Sequence, residues 1–181
     1  MRRRTVIGAA LAAAAAWPAL AAGPEATAGD FSFAAIEGGS IDLAAFAGGP
    51  ILVVNTASLC GFTQQYAGLQ ALQDAYRERG LTVVGVPSNS FRQELGDAAA
   101  VKEFCEVNFA IDFPLADITP VAGDDAHPFY LWAAAQDAGP EWNFHKILVD
   151  GQGRLAGAWG PGTTPDSPDL VAAVEAALPQ R

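Results

Sequence analysis

The run Ile51-Leu52-Val53-Val54 is apolar at every position. Such a run predicts a short strand covered on both faces. Downstream, Tyr66, Leu69, Leu72 and Tyr76 recur at helical spacing and predict a helix over Thr63–Arg79, stopped by Gly80. Leu81 to Val86 is a second apolar strand, closed by Pro87. Strand, helix and strand in this order form a parallel pair with a right-handed crossover. Ala98 to Phe109 and Pro128 to Gln136 read as two further helices. Lys146 to Val149 and Arg154 to Trp159 flank Asp150-Gly151-Gln152-Gly153, which predicts an antiparallel hairpin. Asp169 to Leu178 is a terminal helix with an acidic first turn and an apolar face of Val171, Val174 and Leu178.

The order of these elements belongs to the α/β class. It fits a thioredoxin-like fold, a central mixed sheet flanked by helices. A chain of 181 residues suits one domain with a substantial core. The N-terminus has a different character. Arg2 to Arg4 precede an Ala-rich apolar stretch, and Ala19-Leu20-Ala21 fits a small-x-small cleavage site. Residues 1–22 are therefore expected to be an export signal, 23–30 a linker and 31–181 the folded domain. The stretch is only weakly hydrophobic, so no stable membrane anchor is expected. Arg3-Arg4 followed by Thr5-Val6-Ile7 resembles a twin-arginine signal, which implies a periplasmic protein. Ordinary secretion is the alternative.

Charge narrows the partners. Ten Lys and Arg stand against 20 Asp and Glu, a formal net charge of -10. Without Arg2 to Arg4 the balance is seven against 20, or about -13. Such a surface opposes binding to nucleic acid or to anionic membranes.

The candidate chemistry starts with two cysteines, Cys60 and Cys105. An even count in an exported chain is compatible with a structural disulfide. There is no CxxC pair and no Cys/His cluster with zinc spacing, so neither a metal nor another cofactor is expected. His127 and His145 are isolated, and Gly151 and Gly153 are turn glycines. Cys60 falls where the first long strand turns toward its helix. Free N–H groups and the helix dipole favour a thiolate there.

Asn55-Thr56-Ala57-Ser58-Leu59-Cys60-Gly61-Phe62-Thr63 resembles the reactive segment of glutathione peroxidases. Val86 to Glu94 is similar to that family's second motif, and Trp142-Asn143-Phe144-His145-Lys146 to its third. The three occur in family order over about Phe31 to Leu178. The resemblance implies a peroxidase with a catalytic tetrad of Cys60, Gln93, Trp142 and Asn143. Peroxide cleavage leaves negative charge on the departing oxygen, and amide or indole N–H groups stabilise it. Where the family often has Cys, Gln, Gly and Pro, this chain has Ser88, Ser90, Arg92 and Leu95. These departures bear on loop shape and leave Gln93 in place.

Phe104-Cys105-Glu106-Val107-Asn108-Phe109 is similar to the segment carrying the resolving cysteine of thioredoxin-dependent members. The resemblance implies a cycle through a Cys60 sulfenic acid, resolved by Cys105 and recycled by a thioredoxin-like dithiol protein. Anionic glutathione suits the acidic surface less well. The short stretch between Phe113 and His127 implies a monomer, because longer segments there accompany tetramers in the family. Three alternatives remain: a thiol-disulfide reductase, a peroxiredoxin, and a redox-inert binding module with a structural disulfide.

Overall fold

The computed structural model describes residues 26–180, so the expected export signal lies outside the described residues. Six strands and four α-helices are present among them. They are β1 (Ser32–Ala34), β2 (Ser40–Asp42), β3 (Ile51–Thr56), α1 (Gln65–Tyr76), β4 (Thr82–Pro87), α2 (Ala98–Phe109), α3 (Pro128–Ala134), β5 (Lys146–Val149), β6 (Leu155–Trp159) and α4 (Pro168–Ala177). The main sheet has the order β4-β3-β5-β6. β3 runs parallel to β4, as the strand-helix-strand pattern requires, and antiparallel to β5. β5 and β6 form the expected hairpin. The Asp150 carboxylate tightens its turn by accepting from the N–H groups of Gln152 and Arg154. The mixed sheet with helices on both faces is the thioredoxin-like architecture.

Alternation along β3 divides the core in two. Leu52 and Val54 face α1, α2 and α4, together with Leu69, Val101, Leu148, Leu170 and Val174. Ile51 and Val53 face α3, together with Val84, Ile147, Phe129 and Tyr130. All six residues of β3 are buried. Burying an aliphatic side chain contributes about 1.5–3 kcal/mol, so this strand anchors both layers. Gln73 of α1 ties that helix to β4, because its side-chain oxygen accepts from Val83 N at 2.6 Å. Gly80 has φ 105° and so closes the helix in the left-handed conformation expected of it.

The β1–β2 hairpin was not expected from the sequence. Each strand has three residues and a single inward side chain, Phe33 or Ile41. Such short alternation carries no readable period. The packing is nonetheless specific. The Phe33 ring stacks on His127 at 4.3 Å. His127 also caps α3, its Nδ1 accepting from Phe129 N at 3.3 Å. Its role is structural. Within the 23–30 stretch, Ala28 is fully buried and its N–H donates to Gly153 O at 2.7 Å. That end of the stretch is docked onto the β5–β6 turn.

Candidate active site

Cys60 lies in the turn between β3 and α1. The helix expected from Thr63 begins at Gln65, and residues 61–64 are turns. Thr63 explains the delay. Its hydroxyl lies 2.9 Å from Ala57 O and 2.6 Å from Cys60 O, and it accepts from Cys60 N at 3.1 Å. A side chain bonded to local backbone competes with helix formation. The cysteine therefore stands one turn ahead of the helix proper. Among the described residues, the hydrogen bond to Cys60 Sγ comes from Phe62 N, at 3.5 Å. A turn N–H at the sulfur takes the place of the first-turn donors expected from the sequence.

The turn is braced from β4's end. Gln93 O accepts from Leu59 N at 2.9 Å, which fixes the loop after β4 against the residue preceding Cys60. Glu94 is buried, and one of its carboxylate oxygens accepts from Ser58 N at 2.9 Å and Leu95 N at 2.8 Å. Burial pushes its pKa up, and the hydrogen bonds to Ser58 and Leu95 oppose that shift. Arg92 has φ 58°, in the left-handed region. That conformation explains why glycine suits this place, and why arginine there is strained.

The loop before β5 supplies the other side. Asn143 is fully buried and its Nδ2 donates to Gln93 Oε1 at 2.9 Å. Gln93 and Asn143 are thus brought together, and Gln93 Nε2 is left as the amide donor outside that bond. The indole of Trp142 is 40% exposed and its ring lies 5.3 Å from that of Phe91. Asn55, at the end of β3, organises this loop. Its Nδ2 donates to Trp142 O, its Oδ1 accepts from His145 N, and its carbonyl accepts from Phe144 N at 2.6 Å. Leu59 and Phe62 add exposed apolar surface beside the cysteine.

Three contributors were not singled out as site residues: Asn55, Glu94 and Lys146. Polar Asn55 at the end of an otherwise apolar strand, and charged Lys146 opening the apolar run Ile147-Leu148-Val149, were the signals. Cys105 is on α2 and fully buried, Cys60 is 8% exposed, and both thiols are free. Burial pushes the Cys105 thiol up to about 11.

The family model for glutathione peroxidase matches residues 29–134, a span that includes Cys60, Gln93 and Cys105. A hydroperoxy fatty acid reductase of Synechocystis sp. is 40% identical, over 82% of this chain and 94% of that protein. A glutathione peroxidase-like peroxiredoxin of Chlamydomonas reinhardtii is 42% identical, over 66% of this chain and 78% of its own length. The crystal structure of T. cruzi GPX1 superposes with a TM-score of 0.65 at 28% identity, covering 83% of this chain and 97% of that one. This chain belongs to the glutathione peroxidase family and is a thiol peroxidase that reduces hydroperoxides.

Proposed function

We propose that the protein is a monomeric, periplasmic two-cysteine peroxidase recycled by a thioredoxin-like dithiol protein. In the first step the Cys60 thiolate attacks one peroxide oxygen. The O–O bond breaks, the sulfur becomes a sulfenic acid, and the departing alkoxide or hydroxide takes up a proton. Gln93, Asn143 and Trp142 supply the N–H groups suited to that developing charge. In the second step the Cys105 thiol condenses with the sulfenic acid, releasing water and forming a disulfide. The reductant's dithiol then exchanges with that disulfide and leaves oxidised.

The observation that carries this reading is the pair of free thiols in one apolar core, one in the turn after β3 and one on α2. Acidic surface charge favours a protein reductant over anionic glutathione. Export rests on the sequence of residues 1–22 alone. Exposed Leu59, Phe62 and Trp142 fit an apolar hydroperoxide. The test is to add one equivalent of hydroperoxide to the reduced protein and map the thiols by mass spectrometry. A Cys60–Cys105 disulfide is expected, and Cys105→Ser should stop at the sulfenic acid. Unchanged turnover of Cys105→Ser with a thioredoxin-type reductant would remove Cys105 from the cycle.

A further inference from the structure

Lys146 is a fully buried cation in a strand whose other residues, Ile147, Leu148 and Val149, are apolar. Among the described residues no carboxylate pairs with it. Its Nζ donates instead to Phe144 O at 2.7 Å and to Gln65 Oε1 at 2.5 Å. Burial pushes its pKa down to about 8, so the fold holds the charged form against its solvation preference. An apolar side chain of similar length would fill this place at lower cost, because burying an unpaired cation is unfavourable. The charge therefore calls for a role other than packing.

Both of its partners lead to the site. Phe144 follows Asn143 directly and has φ 61°, a left-handed conformation that a bulky residue adopts only when its surroundings impose it. Its N–H is taken by Asn55 O and its carbonyl by Lys146, so the strained peptide is gripped at both ends. Its ring packs edge-on against Tyr66, 5.4 Å away, in the first turn of α1. Gln65 is the first residue of α1 and donates from Nε2 to Pro161 O at 2.7 Å. One ammonium thus joins the Trp142–Asn143 loop to the start of the helix that follows the Cys60 turn.

We propose that Lys146 is a positioning residue for the peroxidase step. It holds the left-handed turn at Phe144 so that Asn143 meets Gln93 and both stay in register with the Cys60 turn. This inference rests on the peroxidase activity of Cys60 and concerns the placement of its donors. It does not make Lys146 a catalytic residue, because nothing places Nζ at the sulfur.

The test compares wild type with Lys146→Met in the purified, fully reduced chain. Two quantities are read: the rate constant for Cys60 oxidation by hydroperoxide, and the midpoint of urea unfolding. Methionine keeps the length and the apolar stem but removes the donor. The rate constant is expected to fall on the order of tenfold, as small displacements of donors do. The unfolding midpoint is expected to stay level or rise. A rate constant within about twofold of wild type overturns the proposal. A rate loss that is matched by a loss of stability also overturns it, since general support of the fold would then suffice. Where Lys146→Met does not fold, Gln65→Leu removes the ammonium's link to α1, and an unchanged rate in that variant overturns the proposal equally. Wild type measured in the same series shows separately whether Cys60 reacts at all.

Discussion

The turn that carries Cys60 and the helix that carries Cys105 pack against one apolar core, on the same face of the sheet. Their surroundings are opposite in kind. The Cys60 turn is tied at nearly every step: to Gln93 through Leu59, to Glu94 through Ser58, and to itself through Thr63. α2 is held differently. Of its twelve residues only Val101 and Cys105 are buried, and Val107 is 75% exposed. The reactive sulfur is in a rigid frame near the surface. Its proposed partner sits on a helix held by side-chain packing, with Val101 and Cys105 buried and Phe104 and Phe109 packed against the core. Rigidity serves the step that needs aligned donors, whereas the second step requires two sulfurs to meet. A disulfide requires Cα atoms within about 7 Å.

The largest break in this contrast comes from exchanging each sulfur for oxygen. Cys60→Ser should abolish hydroperoxide consumption, since a serine hydroxyl stays protonated and nucleophilically weak at neutral pH. Cys105→Ser should leave the first oxidation at the wild-type rate and stop turnover afterwards. Stopped-flow oxidation followed by a reductant-coupled assay checks both. Equal losses in the first step would mean that the two cysteines act as one unit.

Removal of a single donor should cost less. Gln93→Ala takes away both the free amide N–H and the acceptor of Asn143, and leaves the buried Asn143 amide unpaired. A drop of about 10²-fold in the Cys60 oxidation rate is expected, the size seen for single oxyanion donors. Asn143→Ala, which leaves Gln93 in place, should cost less than Gln93→Ala. The reverse order would identify Asn143 as the principal donor.

The Cys105 side can be probed by pH. Its thiol is raised from 9.0 to about 11 in the fold, so between these values the folded protein binds more protons than the unfolded chain. Stability from this group is complete below about pH 9 and is lost as pH rises toward 11. Lys146 works in the opposite direction. Its lowered pKa lets stability increase as pH rises from about 8 to its unfolded value of 10.5. Urea unfolding of wild type against Cys105→Ala cancels the lysine. The stability difference, wild type minus variant, should shrink by about 2 kcal/mol from pH 8 to pH 11. A constant difference would place Cys105 in contact with solvent.

The unequal legibility of these regions has a physical cause. β3 and β4 were readable because each is a continuous apolar run buried along nearly its whole length, and α1 because its apolar positions recur at helical spacing. The β5–β6 hairpin was readable from its Asp-Gly-Gln-Gly turn. The β1–β2 hairpin was not, because one inward residue per strand leaves no period. At the site, Cys60, Gln93, Trp142 and Asn143 were marked by their local words, whereas the ties that place them run between distant segments. Asn55 meets Trp142 across 87 positions and Lys146 meets Gln65 across 81. Local pattern does not encode such pairs. The helix start was misplaced by two residues because Thr63, a good helix-entry residue, spends its hydroxyl on the Cys60 turn.

Arg92 offers the smallest and sharpest test of the rigid side. In the loop after β4 it is a place where local preference and observed backbone disagree, as Phe144 is in the loop before β5. Left-handed backbone costs a non-glycine residue roughly 1 kcal/mol. Glycine removes that cost but gains freedom in the unfolded chain, which returns part of it. Arg92→Gly should therefore stabilise the protein by roughly 0.5 kcal/mol, read from urea unfolding at neutral pH. The Cys60 oxidation rate should not change, because Arg92 is exposed, the Leu59–Gln93 bond is made by backbone on both sides, and the Gln93 side chain is held separately by Asn143. A stability gain with an unchanged rate would show that the frame around Cys60 tolerates strain without depending on it. A slower rate would mean that the arginine's charge reaches the peroxide, and the rigid side of the molecule would then include an electrostatic contributor beyond its N–H donors.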